Sequence, residues 1–195
     1  RPVDGSDPAT DWKGLHEFSD APRVKDPRVG WVFNTNNAPW TAAGPDSPVK
    51  AAFPKYMDSA GENPRGPHAE RVLAGASGLT RETLLTKAYD PYLTAFARLV
   101  PTLSAAYDAA PDPKLAKQVA ALKAWDKTWS ASSTETSLAV FWGEALWAKA
   151  APAAKAARMS VWDYMADKST GADKLAALSE ALERLTADFG SWKTP

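Results

Sequence analysis

Apolar residues recur at helical spacing through the C-terminal part of this chain and lose that period upstream of it. Leu115, Val119, Leu122, Trp125 and Trp129 form one stripe. Leu138, Phe141, Trp142, Ala145 and Leu146 form a second, and Leu175, Leu178, Leu182, Leu185 and Phe189 a third. Side chains three or four positions apart share a face of a helix, so each stripe predicts a helix with one buried side. Capping residues mark the ends. Thr80 precedes Arg81-Glu82-Thr83-Leu84-Leu85 as an N-cap, Ser133 or Thr134 opens the second stripe, and Gly190 terminates the third. Asp90-Pro91 and Asp112-Pro113 predict two more helix starts, with proline in the tolerated first turn. Pro101 predicts a break or kink. The tryptophans at 125, 129, 142, 147 and 162 sit at helical spacing and read as core.

The upstream part has another texture. Residues 1–70 hold ten of the 16 prolines and little helical period. Asp11-Trp12-Lys13-Gly14-Leu15 reads as a short extended segment. Gly30-Trp31-Val32-Phe33-Asn34 reads as a strand, β-branched and aromatic after a glycine. It runs into Thr35-Asn36-Asn37-Ala38-Pro39, where Pro39 biases Ala38 toward extended backbone and asparagine tolerates turn geometry. The stretch from Trp40 to Pro67 reads as a surface excursion with at most a short helix near Phe53–Met57. The expected fold is therefore mainly α: an irregular, Pro-rich segment (1–70) with one or two short β-strands, followed by a helical domain (71–195) packed against it.

Composition removes most chemistries. The 195 residues balance 23 Lys+Arg against 23 Asp+Glu, so nothing electrostatic recommends nucleic acid or an anionic membrane as partner. With no cysteine, disulfides, thiol nucleophiles and cysteine-held metals are excluded. No apolar run reaches spanning length, since Glu144 and Lys149 interrupt the best one. Phosphate-binding glycine loops, dinucleotide fingerprints and HExxH are absent. The two histidines, His16 and His68, lie far apart in loop-like sequence and read as exposed loop residues. Asp4, Asp7 and Asp11 read as a turn-forming acidic stretch, their spacing unlike a calcium loop. Arg1 in place of Met suggests a piece of a longer chain.

The polar turn stands apart. Asn34, Asn36 and Asn37 after a hydrophobic strand are more than a chain reversal needs. A carboxamide offers a neutral N–H donor that cannot surrender its proton, which suits a developing oxyanion. A purely structural Asn-rich turn is the alternative on these residues alone.

The stretch Trp12-Lys13-Gly14, Pro22-Arg23-Val24, Pro27, Gly30-Trp31-Val32 and Asn34-Thr35-Asn36-Asn37-Ala38-Pro39-Trp40 resembles the penicillin acylase family of N-terminal nucleophile hydrolases. The likeness extends into Glu70-Arg71-Val72 and, more loosely, through Leu122-Lys123-Ala124-Trp125-Asp126. It implies that the chain is an interior portion of the family's β-subunit, within a larger αββα fold. It implies a precursor that cleaves itself to expose an N-terminal serine, whose hydroxyl attacks an amide and whose acyl-enzyme is hydrolysed by water. By motif position, the oxyanion-hole asparagine falls on Asn36 and the active-site arginine on Arg71. The resemblance also implies export to the periplasm or secretion.

Residue 1 is arginine, so this N-terminus is not the nucleophile. Gly5-Ser6 is followed by Asp7-Pro8 and lies too close to Asn36, and Gly190-Ser191 lies at the wrong end. The serine is expected elsewhere in the parent, so the chain alone is expected to be inactive. Its partners are then the rest of that acylase (the α-subunit and the N-terminal part of the β-subunit) and a small acyl-amide substrate. Self-association would cover helix faces that have lost their partners. No cofactor is expected. Structural calcium occurs in some family members, and Asp46 lies near a position where it would bind. The alternative reading is a noncatalytic helical packing or interaction domain.

Overall fold

A computed structural model describes residues 2–57 and 61–195. Seven α-helices occur among them: α1 (Arg65–Leu73), α2 (Arg81–Ala88), α3 (Thr94–Ala109), α4 (Ala116–Ala124), α5 (Thr134–Ala157), α6 (Val161–Asp167) and α7 (Gly171–Phe189). Among the described residues upstream of α1 the helical elements are short 3-10 turns, at Pro8–Thr10, Phe18–Asp20, Pro39–Thr41, Gly44–Asp46 and Lys50–Ala52. The fold is mainly helical, as the apolar stripes predict.

The core is built around α5. Its buried face of Leu138, Ala139, Trp142, Ala145, Leu146 and Ala150 packs with Ala177, Leu178, Ala181 and Leu185 of α7, Met165 of α6, and Phe96, Leu99, Val100 and Leu103 of α3. Alanines on both α5 and α7 let the backbones approach closely, while the leucines interlock. Each leucine so buried contributes roughly 1.5–3 kcal/mol. Trp142 is wholly buried, and its indole N–H donates to the Lys174 carbonyl at 3.1 Å, so its polar tip is satisfied inside the core.

The caps read from sequence form as expected. The Thr80 hydroxyl accepts from Thr83 N at the start of α2, Ser133 caps α5, and Gly190 ends α7 at φ +77°. Thr170 adds a reciprocal capping box with Asp173.

Several expectations are corrected. Asp90 and Asp112 do not cap helices directly. Each carboxylate accepts from the backbone N–H two residues on, at Tyr92 and Lys114, making a turn before the helix starts at Thr94 or Ala116. Pro101 lies inside α3 without ending it. It sits on the exposed face, between buried Leu99, Val100 and Leu103, whose packing holds the helix together. Trp125 and Trp142 are core, but Trp129 is 54% exposed and Trp147 38%. Helices α1 and α6 were not anticipated, and His68 lies on α1 rather than in a loop.

The expected strand at Gly30–Asn34 joins no ladder, and Gly30 at its start takes the left-handed conformation, φ +74°. Phe33 N donates to the Ala42 carbonyl at 2.9 Å and Gly30 N to the Pro27 carbonyl at 2.9 Å, loop closures rather than a strand pair. The only bridge among the described residues joins Tyr92 and Thr128. In place of the short helix near Phe53–Met57, a 3-10 turn forms at Lys50–Ala52. In the described part before Arg65 only Ala38 and Ala43 are buried, while Trp12, Leu15 and Phe18 are open to solvent.

Candidate active site

The three asparagines divide their labour. Asn34 Oδ1 accepts from Asn36 N at 2.8 Å, and Asn37 Oδ1 accepts from Thr35 N at 3.2 Å. These two side chains thus build the turn. Between them Asn36 adopts the left-handed conformation, φ +58°, which asparagine tolerates better than most residues. Pro39 then opens the 3-10 turn Pro39–Thr41, and buried Ala38 anchors the exit.

The turn is stitched to the N-terminus of α1. Asn37 Nδ2 donates to Glu62 Oε1 at 2.9 Å, and Thr41 Oγ1 donates to Glu62 Oε2 at 2.8 Å. Asn63 Nδ2 donates to the Thr35 carbonyl at 3.0 Å, while its Oδ1 accepts from Arg65 N at 3.0 Å. One side chain therefore ties the backbone beside Asn36 to the backbone of Arg65. The Arg65 guanidinium completes the set, with Nη1 and Nη2 each 3.4 Å from Asn36 Oδ1. Among the described residues nothing accepts from Asn36 Nδ2. The exposed Asn36 carboxamide is held by its oxygen and presents its donor end.

Beside this stitch opens a cavity of about 400 Å³, lined by Glu62, Asn63, Pro67, Thr94, Arg98 and Trp162 among others. Its charged groups are already committed. Arg98 donates to Asp163 at 2.6 Å and to Asp167 at 2.8 Å, and those carboxylates hold its guanidinium above its ordinary pKa.

The family model for penicillin amidase matches residues 1–194. This chain belongs to the penicillin amidase family. That is a family of amide hydrolases, the acylases of the resemblance drawn from the asparagine turn.

Within this penicillin amidase family chain the two residues singled out from the motif are not in contact. Arg71 lies on α1, half exposed, with Nη1 donating to Asp90 Oδ1 at 3.2 Å and its guanidinium 4.0 Å from the Tyr92 ring centre. His68 converges on the same carboxylate, its Nε2 at 3.7 Å from Asp90 Oδ1 and its Nδ1 at 3.1 Å from Thr94 Oγ1. The arginine that reaches Asn36 is Arg65. Sequence reading passed over Glu62, Asn63 and Arg65 because they fall within a Pro- and Gly-rich stretch. The available signal was Asn63-Pro64, a turn initiator placed immediately before a charged residue.

Asp46 does not fit a calcium ligand. Arg28 donates to its Oδ1 from Nε at 2.9 Å and Nη2 at 2.5 Å, and Val29 N donates to Oδ2 at 3.1 Å. The Arg28 hydrogen bond leads the effects that hold this carboxyl below the usual range, and the guanidinium occupies the ground a cation would need. No group of three or more His, Asp or Glu side chains placed to hold a metal occurs among the described residues. Ser6 donates from its hydroxyl to Asp4 Oδ1 at 2.7 Å, while Asp7 accepts from Ala9 N, so both acids serve local turns. No helix among the described residues is long and apolar enough to cross a membrane.

Proposed function

We propose that this chain supplies the oxyanion donor of an acyl-amide hydrolase, with Asn36 as that donor. The observation that carries the reading is the division of roles at the turn. Asn34 and Asn37 are consumed in building it, Arg65 engages the Asn36 oxygen, and the Asn36 N–H₂ is left over. Such a donor, fixed before the reaction, stabilises charge as it develops on the scissile carbonyl oxygen without reorganising.

In this reading the nucleophile is an N-terminal serine outside these 195 residues, exposed when a precursor processes itself. Its α-amine takes the hydroxyl proton, the alkoxide oxygen bonds to the amide carbon, and the oxyanion rests against Asn36 Nδ2. Collapse, with the α-ammonium passing that proton to the leaving nitrogen, expels the amine and leaves an acyl-enzyme, which water hydrolyses through a second oxyanion at the same donor. Arg71 lends positive charge to the site from α1. The substrate is a small acyl amide of the β-lactam side-chain, acyl-homoserine lactone or lipopeptide type. The remaining subunit parts supply the serine and most of the acyl pocket, and the parent works in the periplasm or outside the cell.

The test is Asn36→Ala in the complete processed enzyme. Losing one oxyanion donor costs about 2.7–4 kcal/mol, or about 10²–10³ in kcat. Turnover of a chromogenic acyl amide is expected to fall by that factor while the thermal midpoint stays within a few degrees. An unchanged rate removes Asn36 from the mechanism.

A further inference from the structure

We propose that Arg65 is a positioning residue for Asn36, setting which end of the carboxamide faces the reaction. The inference rests on the oxyanion reading of Asn36 and adds a residue that the motif does not include.

A carboxamide rotated by half a turn exchanges a donor for an acceptor in nearly the same outline. An asparagine meant to donate to an oxyanion therefore needs something that distinguishes its two ends. A guanidinium does this because it carries donors only. It faces the oxygen and is repelled by the N–H₂, so Arg65 at 3.4 Å from Asn36 Oδ1 selects the orientation that sends Nδ2 the other way. The contact also draws electron density toward the oxygen, which makes the amide N–H a stronger donor.

The placement of Arg65 is built rather than incidental. Asn63 accepts from Arg65 N and donates to the Thr35 carbonyl, fixing the start of α1 against the residue preceding Asn36. Glu62 anchors the other side of the turn through Asn37 and Thr41. Arg71, by contrast, is engaged with Asp90 and Tyr92.

The experiment is a double-mutant cycle in the complete processed enzyme, with Arg65→Ala, Asn36→Ala and the pair. Arg65→Ala is expected to lower kcat about tenfold with KM within about twofold, because the carboxamide loses both the selection of its orientation and the strengthening of its N–H donor. In the Asn36→Ala background the same change is expected to add less than twofold, since there is no carboxamide left to orient. Arg65→Lys, which keeps the charge but not the fork, is expected to recover part of the loss. Two outcomes overturn the inference while leaving the oxyanion reading intact. One is an unchanged kcat for Arg65→Ala while Asn36→Ala collapses turnover. The other is a tenfold loss that persists undiminished on the Asn36→Ala background, which would mean that Arg65 acts on the substrate directly. If Asn36→Ala itself leaves the rate unchanged, both readings fall. Should Arg65→Ala fail to fold, Arg65→Gln takes its place in the cycle with the same expectations.

Discussion

Glu62 and Gly66 occupy adjoining space so closely that a side chain at position 66 has to displace the Glu62 carboxylate. A Cβ on Gly66 would collide with Glu62 Oε1, stand 2.7 Å from the carboxylate carbon and meet Asn37 Nδ2 at 2.9 Å. Gly66 is buried at the start of α1, an element whose intrinsic preference favours alanine by about 1 kcal/mol. The carboxylate cannot move without loosening its bonds from Asn37, Thr41 and Asn63. Gly66→Ala is therefore expected to lower stability by about 1 kcal/mol, since bonds to a charged acceptor outweigh the propensity gain. In a Glu62→Ala background the same change is expected to stabilise, because the Asn37 amide, freed from the carboxylate, can swing aside and the propensity gain is left. Thermal unfolding of the four proteins checks the reversal of sign.

The helical frame was legible because it depends on local chemistry. Thr80, Ser133 and Gly190 mark their ends with side chains or backbone freedom that act within three residues, and the Leu138 and Leu178 stripes carry their period in sequence. Helix α1 was hidden because Pro64, Gly66 and Pro67 write a loop signature over its first turn, where proline in fact does no harm. Helix α6 is too short for its period to show. Gly30–Asn34 has strand composition, but a strand needs a neighbour, and composition does not say whether one is present. At the candidate site, Asn36 stood out from its own motif. Glu62, Asn63 and Arg65 lie 26 to 29 positions downstream of it and meet the turn only through tertiary contacts that no short pattern encodes.

Lys174 gives the helical body a pH signature. It is 6% exposed, and its ammonium donates to the Ala166 carbonyl at 3.2 Å, near the C-terminal end of α6. Burial pushes its pKa below the ordinary lysine value, with Asp167 pulling partly the other way. The folded state then holds this proton less tightly than the unfolded one. Between the depressed value and the ordinary one the unfolded chain binds more protons, so stability rises with pH across that window. Below it the folded state bears the full penalty of the buried charge. Lys174→Met removes the titrating group while keeping an unbranched apolar stem. The difference in thermal midpoint, wild type minus Lys174→Met, is expected to move in favour of the wild type as the pH is raised from neutral toward the ordinary lysine value. A difference that is flat over that range contradicts the burial of a charged ammonium.

Asn36→Asp separates the shape of the turn from its chemistry. Aspartate matches asparagine in outline and shares its tolerance of the left-handed conformation, so φ +58° at position 36 is preserved. It keeps an oxygen for the Arg65 guanidinium and adds a charge, so the link to α1 is strengthened. The only group lost is the N–H₂, replaced by an oxygen that repels an oxyanion rather than binding it. A structural role for Asn36 therefore predicts a folded enzyme at least as stable as the wild type and little changed in rate. The oxyanion role predicts the same fold with turnover lowered at least as far as by Asn36→Ala, about 10²–10³ or more. Because the substitution spares every contact that holds the turn, a rate loss cannot be charged to misfolding. The pair of measurements, thermal midpoint and kcat on one variant, therefore assigns the residue to one role or the other.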